Sequence, residues 1–477
     1  MNTSPEPGLP QHSPRTRFRV AVIVGCIAVA LAGAMLARKI SPGSSGGVAT
    51  VSAPAPQTPQ QILAQIPARE GKSATDQALA VAMAKVREKD GAAARWVVLG
   101  DVLAQVLRDS ADEHYYDLAE AAYECALRLE PKNVEAMTGM AWVNGGRHLF
   151  DTSREWASRS LALDDTNAAA YGILGDADVE LGDYEAAYTH YQKMMDLKPD
   201  LSSWSRGAHL LWLTGDTKKA MWLLEKAIKA GAPFAENTAW CRARLATMLF
   251  SDGALLPAAQ ALDAPLKAGS KNAHVLLAAA RIAAARGDFS SAEKHCRAIL
   301  EAGPNHFALV ELGDLLATTD RKAEAEKYYE QAEELDKAQT VRAGHTHMAM
   351  AKFYADHDRK LIEALRMAEA RKLTRNLSEA DTLAWVYFKN GDQPRAIEAI
   401  KRALSQKTQD AEIHFHAGMI AAKFGDRVSA QNHLQTALSI NPHFSLLQAP
   451  VALATLHKLG SAEPVANITK SETSAAQ

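Results

Sequence analysis

Residues 168–199 read AAAYGILGDADVELGDYEAAYTHYQKMMDLKP, and this stretch decides the fold of most of the chain. It consists of two helix-forming halves, with Gly182 and Asp183 supplying the turn between them. Small residues at Gly175 and Ala187 allow the two helices to approach closely. The proline that closes the stretch cannot continue a helix, so it ends the unit. We therefore expect one helix-turn-helix unit here.

The spacing of these small residues recurs along the chain in two columns, one for each helix of the unit. The first column consists of Gly100, Ala141, Gly175, Ala208, Ala246, Ala280, Gly313, Ala351, Ala384 and Gly418. The second consists of Ala119, Ser153, Ala187, Ala220, Ala258, Ala292, Ala325, Ala364, Ala396 and Ala430. Two columns that stay in phase predict an array of about ten stacked units.

The motif within the first stretch resembles the tetratricopeptide repeat, a helix-turn-helix of about 34 residues. It comprises Tyr171-x2-Leu174-Gly175, Ala187-x3-Tyr191 and Pro199. The resemblance covers residues 92–444 and implies an all-α, right-handed superhelix of about ten repeats. Two departures are Asp178, where the motif usually has Tyr, and Ser153, which replaces the second-helix Ala. The last two units resemble the end of many bacterial membrane-anchored tetratricopeptide repeat proteins.

Composition narrows the possible functions. The chain has 477 residues, of which 47% are apolar and only 6% aromatic, which favours helices packed through Ala and Leu. A formal net charge of −2 gives no indication of nucleic-acid binding, whose proteins are strongly basic. The four cysteines are widely spaced and form no CxxC motif, so we expect neither a disulfide framework nor a zinc site.

Residues 20–37 carry no charge and follow an arginine-rich segment, which predicts a transmembrane helix retained as a signal anchor. A cleaved signal peptide, a lipoprotein cleaved before Cys26 and a buried helix are the alternatives. Three arginines precede the apolar run, while only Arg38 and Lys39 follow it. This bias predicts a cytoplasmic N-terminus and an array on the non-cytoplasmic, periplasmic side.

The expected domain organisation follows from these observations. It comprises a cytoplasmic tail (1–19), the transmembrane anchor (20–37), a Gly/Ser/Pro linker (38–61), a leading helical cap (62–91), the repeat array (92–444), a C-terminal cap helix (445–460) and a disordered tail (461–477).

Catalytic and cofactor motifs give no functional assignment. A G-x-S-x-G pattern at residues 43–47 lies in the linker, whereas a hydrolase nucleophile requires a strand before it and a helix after it. The pairs His345/His347 and His414/His416 have members two residues apart, on different sides of a helix, so neither pair can chelate one metal alone. We expect no enzyme activity, cofactor, metal or small-molecule substrate.

The first helices of tetratricopeptide repeat proteins line the concave face, so the resemblance implies one inward-facing residue directly after each first-helix small residue. That column consists of Asp101, Trp142, Asp176, His209, Thr247, Arg281, Asp314, Lys352, Trp385 and Met419. It lacks the Lys and Asn set with which chaperone-binding members clamp a terminal carboxylate.

An apolar patch is the one specific site that the sequence suggests. Trp385 and Phe388 share one helix face, and Phe415 and Met419 share a face of the next first helix. Asp381 and Glu412 lie beside them. If exposed, these six residues would form a protein-binding floor; the alternative is that the aromatic residues pack between repeats or under the final cap.

We therefore expect a non-enzymatic scaffold at a membrane that binds a peptide or a partner protein in its concave groove. An assembly factor for an envelope complex (secretion, pilus or cytochrome maturation) has the same fold and is the first alternative. An enzyme, or a regulatory subunit of one, is the second, and a deep pocket with shifted pKa values would favour it.

Overall fold

The computed structural model describes residues 57–69, 73–110, 112–231, 235–343, 348–370 and 375–461. These ranges hold 23 helices and no strand, which confirms the all-α prediction. None of the described helices has the length and apolarity needed to cross a bilayer. The predicted transmembrane helix at 20–37 and most of the linker lie outside the described residues.

Two leading helices, α1 (Pro59–Gln65) and α2 (Ala74–Glu88), precede ten helix pairs. The first helices of the pairs are α3 (Ala93–Ser110), α5 (Val134–Gly146), α7 (Ala168–Leu181), α9 (Leu201–Leu213), α11 (Ala235–Ser251), α13 (Ala273–Ala285), α15 (His306–Thr318), α17 (Met348–Asp356), α19 (Leu377–Lys389) and α21 (Ala411–Lys423). The second helices are α4 (His114–Leu129), α6 (Phe150–Leu161), α8 (Tyr184–Leu197), α10 (Thr217–Ala230), α12 (Leu255–Lys267), α14 (Phe289–Ala302), α16 (Lys322–Ala343), α18 (Leu361–Ala370), α20 (Gln393–Ala403) and α22 (Arg427–Ile440). A final helix, α23 (Gln448–Ser461), packs on α22.

The ends of these helices follow from a recurring turn chemistry. Asn167 begins α7 by accepting a hydrogen bond from the backbone N–H of Ala170, which satisfies one of the free donors of the first turn. Gly182 ends α7 with φ of 75°, and Asp183 then caps α8. The same Gly-Asp turn, with glycine at positive φ, recurs at 215–216, 287–288, 391–392 and 425–426.

Both columns of small residues lie between paired helices, as predicted. Ala187, Ala220 and Ala258 in the second column have no exposed surface. In the first column, a Cβ added to Gly100 would lie 2.5 Å from the ring of Tyr123. Tyr191 and Tyr329 press in the same way on the glycines of their own units. The repeat places a small residue wherever a bulky side chain of the partner helix crosses the backbone.

The array is wound tightly enough for repeats five or six apart to touch. The turn after α7 contacts the start of α19, where the N–H of Leu377 donates to the Tyr184 hydroxyl at 2.9 Å. A Cβ added to Gly215 would lie 2.5 Å from the carbonyl oxygen of Lys407. The amide of Asn441, which is fully buried, donates to the carbonyl of Phe250 at 2.8 Å. We call these three the turn contacts; they close one superhelical turn.

The ends of the described region are also helical. Helix α1 begins at Pro59, two residues before the expected end of the linker, and Thr58 caps it through a capping box with Gln61. Ile62 and Ile66 are buried against the first pairs, at 1% and 6% exposed. The residues that follow α23, from 462 onward, lie outside the described part of the chain.

Candidate binding cavity on the inner face

A cavity of about 380 Å³ lies inside the closed turn, within the range typical of ligand sites. The inner faces of α11, α13, α15 and α17, the start of α21 and the segment 441–448 line it. Its lining includes Thr247, Arg281, Asp314 and Lys352, which occupy the same position in four consecutive repeats. For these four residues, the predicted inward column is confirmed.

Arg281 and Glu311 form the first ion pair of the cavity. The Nε of Arg281 on α13 donates to Oε2 of Glu311 on α15 at 2.7 Å. The charge of this carboxylate outweighs the effect of burial and raises the pKa of Arg281. The pair fixes both side chains across neighbouring first helices.

Lys352 on α17 is held between two carboxylates. Its Nζ lies 2.7 Å from Oδ2 of Asp356 and 2.7 Å from Oε1 of Glu412 on α21. Burial disfavours the ammonium form, but the two carboxylates outweigh that cost and raise the pKa of Lys352. Lys352 is therefore a fixed internal cation.

The two carboxylates and His416 also have the spacing of metal ligands. One ligand atom each of Asp356, Glu412 and His416 lies within 4.8 Å of the others. However, the Lys352 ammonium already bridges both carboxylates and would repel a divalent ion. The donor set therefore fits a structural ion pair better than a metal centre.

Asp314 lines the cavity and contacts both Tyr329 on the second helix of its own repeat and His357, another residue of the lining. It accepts a hydrogen bond from the Tyr329 hydroxyl at 2.8 Å and lies 2.7 Å from Nε2 of His357. Burial lowers the pKa of His357, but the hydrogen bond and charge of Asp314 outweigh it, so the net shift is upward. His357 was not among the site residues predicted from the sequence.

The Asp–Tyr bond recurs in two other repeats. The hydroxyl of Tyr123 donates to Asp101, and that of Tyr191 donates to Asp176, at 2.8 and 2.9 Å. In each case the aspartate directly follows a first-helix glycine. A Gly-Asp pair in the first helix with a tyrosine in the second is the signal that could have found this arrangement.

Asp410 is a carboxylate of the cavity without a counter-ion in the part of the chain that the structure describes. It caps α21 by accepting from the backbone N–H groups of Glu412 and Ile413. Burial, followed by the charges of Glu412 and Asp381, raises the pKa of Asp410 to about 6. This carboxylate is consequently the least compensated charge of the lining.

Gln448, the first residue of α23, contributes a polar group with unused bonding capacity. Its Nε2 donates to Oδ1 of Asp356 at 2.8 Å, which fixes the orientation of the amide. Its Oε1 is buried and has no hydrogen-bond partner among the described residues. Buried polar atoms are rarely left without a partner, so this acceptor is a candidate ligand contact.

The predicted apolar patch does not form this cavity. The six residues are Asp381, Trp385, Phe388, Glu412, Phe415 and Met419; only Glu412 lines the cavity. Phe388 and Met419 are partly buried against the core. The prediction of a contiguous exposed floor is therefore wrong, and a role for these residues in partner binding stays a prediction.

The aromatic members of the patch pack between repeats instead. Trp385 is 3% exposed and Phe415 is 1% exposed. The Trp385 ring stacks on Phe388 and on His416, at centroid distances of 4.9 and 4.2 Å. His416 in turn binds the buried carboxylate of Asp381 through Nδ1 at 2.9 Å. Each first helix packs against its partner helix and also against the neighbouring first helices. The aromatic residues of the patch lie in the contact between neighbouring first helices, so they are buried there.

Comparisons with known proteins agree with the repeat geometry. A family model described as the tetratricopeptide repeat matches residues 256–307, 277–339 and 382–442, and a second one matches residues 168–201. Over 79 residues the chain is 30% identical to the general transcriptional corepressor trfA of Dictyostelium discoideum. That match spans 17% of this chain and 6% of the relative, a small part of its length.

Solved structures with similarity to this chain include the following three. PilF of Pseudomonas aeruginosa matches with a TM-score of 0.34 and 20% identity, over 46% of this chain and 96% of that chain. Yeast Tom70 matches with a TM-score of 0.35 and 13% identity, over 81% and 92% respectively. Human IFIT1 matches with a TM-score of 0.44 and 17% identity, over 66% and 73%.

The ten helix pairs, the two columns of small residues and the matching repeats define a helical repeat protein. Tetratricopeptide repeats are thus identified at residues 168–201, 256–339 and 382–442 of the chain. Repeats of this family are generally non-catalytic interaction modules, which supports a protein–protein interaction scaffold.

Proposed function

We propose that this protein is a non-enzymatic scaffold that holds an extended peptide or a helix of a partner protein on its inner face. The proposal is based on one observation: four consecutive repeats each contribute the equivalent residue to the same cavity. These residues are Thr247, Arg281, Asp314 and Lys352. A partner that follows the inner face would meet a new side chain of this column at each repeat. Solenoids typically recognise extended ligands in this way.

The cavity also has the shifted pKa values that would favour an enzyme. Ion pairs within the fold explain most of these pKa shifts, because Arg281, Lys352 and His357 each bind a carboxylate at 2.7 Å. Ion pairs that position neighbouring repeats perturb pKa values without performing chemistry. The scaffold proposal therefore accounts for the same observations with fewer assumptions.

Photo-crosslinking tests the inner-face proposal. Phe307 lines the cavity and is 54% exposed, so p-benzoylphenylalanine in its place changes the surface little. Phe289 begins α14, is 36% exposed and lies outside the cavity lining, which makes it a matched control. Irradiation in the native cells should link a partner to position 307 and not to position 289. Equal yields of the same product at both positions would refute inner-face binding.

We also propose that residues 20–37 tether the array to a membrane, with the array on the non-cytoplasmic side. The uncharged run and the arginines before it support this proposal. Topology reporters fused after Gly47 and after Gln477 should both report the non-cytoplasmic side. A cytoplasmic signal from the C-terminal fusion would refute the proposed orientation.

A further inference from the structure

The charge of the cavity is unbalanced. Its lining has one guanidinium and one ammonium, from Arg281 and Lys352, and five carboxylates. The five are Glu311, Asp314, Asp356, Asp410 and Glu412. Protonation of His357 beside Asp314 compensates one more of them. Carboxylates still outnumber cations, and a partly desolvated excess charge favours a ligand of the opposite sign.

The hydrogen-bonding capacity of the lining has the same bias. Gln448 is 7% exposed, and its Oε1 is an acceptor without a donor among the described residues. Because Asp356 accepts from the Nε2 of this amide, the free atom must be the oxygen. Both Gln448 and Asp410 therefore offer acceptors, which a ligand with N–H groups would satisfy.

The lining also contains five aromatic rings of Phe and Trp. Phe250, Phe307, Phe353 and Phe444 line the cavity together with Trp212. Rings of this kind pack well against methylene groups and attract cations to their faces. An aromatic wall next to carboxylates matches a side chain with an apolar stem and a charged end.

We propose that this cavity binds the side chain of a lysine or arginine from an extended peptide, with Asp410 and Gln448 accepting its hydrogen bonds. The proposal rests on the scaffold function and adds the chemistry of the partner. Glu412 stays bound to Lys352, and the uncompensated charge that the ligand meets is that of Asp410.

The test uses the full chain in mild detergent and fluorescein-labelled decapeptides of a Gly/Ser/Ala background with one central residue varied. Fluorescence anisotropy should give affinities at least tenfold higher for central Lys or Arg than for Gln or norleucine. Cadaverine and agmatine serve as competitors, because they carry the same cationic groups without a peptide. Both should compete at least tenfold more weakly than the lysine peptide.

Two substitutions assign the preference to the cavity. Asp410→Asn removes the charge but keeps a good N-cap for α21, so the fold should be retained. Asp426→Asn makes the same change at the N-cap of α22, outside the cavity, and is the matched control. D410N should lower the affinity for the lysine peptide about tenfold and leave the glutamine peptide unchanged, whereas D426N should change neither.

The alternative outcomes separate this inference from the scaffold function. Equal binding of all decapeptides would overturn the cation inference and leave the scaffold intact. Cadaverine that competes as well as the lysine peptide would show that the occupant is a free amine and overturn the peptide assignment. Failure of every decapeptide to bind, together with no crosslink at position 307, would overturn both proposals.

Discussion

Replacement of Gly182 by Ala should open the first turn contact. Gly182 has φ of 75°, and an added Cβ would lie well under 3.0 Å from the backbone carbon of Arg375, six repeats further along. The backbone of Arg375 cannot move aside as a flexible side chain would. We expect the turn after α7 and the start of α19 to separate.

The expected cost follows from the groups that meet there. Separation exposes Leu377, which is 2% exposed in the closed turn, at about 2 kcal/mol. It also removes the hydrogen bond from Leu377 N–H to Tyr184, worth about 1 kcal/mol. The contact thus contributes about 3 kcal/mol beyond the cost of alanine at positive φ itself.

The matched control is Gly287→Ala. Gly287 has φ of 78° at the same position of its own repeat, and no described atom lies within 4 Å of an added Cβ. Its substitution has only the backbone cost of about 1 kcal/mol, once the lower entropy of the unfolded chain is included. The difference between the two variants therefore isolates the turn contact.

The measurements are urea unfolding followed by circular dichroism, small-angle X-ray scattering and hydrogen exchange of the Leu377 amide. G182A should unfold at lower urea concentration than G287A, have a larger radius of gyration and exchange the Leu377 amide faster. Equal unfolding free energies within about 0.5 kcal/mol, with unchanged scattering, would refute the closed turn.

Three further predictions concern packing and charge. Ala187→Phe should destabilise the fold by about 1–3 kcal/mol in urea unfolding because Ala187 has no exposed surface between paired helices, whereas Thr189→Phe on the exposed face should be nearly neutral. Trp385→Ala should cost about 3–5 kcal/mol because the ring is buried; a variant with an unchanged melting temperature would contradict this packing. The pKa of His357, measured by NMR, should lie above its usual value of 6.5. The ion pair with Asp314 should then stabilise the fold below pH 6.5, and this stabilisation should be lost as the pH rises through the folded-state pKa. Asp314→Asn should remove this pH dependence.

The repeat array was predictable because close backbone approach leaves a direct trace in the sequence. Gly175 and Ala187 are small for a local reason, since the two helices of one unit cross there. The turn contacts leave no comparable trace. Asn441 and Phe250 are 191 residues apart, and their contact depends on the small rotation between successive repeats accumulated over half the array.

The candidate site was predictable only in part, because residue spacing assigns a side chain to a face without showing what covers that face. Lys352 and Trp385 both directly follow a first-helix alanine, yet Lys352 lines the cavity and Trp385 is stacked on His416. The difference is made by the residues of α21 that face each side chain. On α21, Glu412 offers a carboxylate to Lys352, while His416 and Phe415 offer rings to Trp385.

The closed turn and the cavity are parts of one arrangement. The turn contact at Asn441 ties the end of the tenth repeat to the fifth repeat, and the segment that follows it contributes Phe444 and Gln448 to the lining. Gln448 reaches Asp356, so the final helix is also bound to the acceptors that surround Lys352. The cavity therefore exists because the superhelix closes on itself after five to six repeats; an open array with the same inward column would present these charges to solvent one by one.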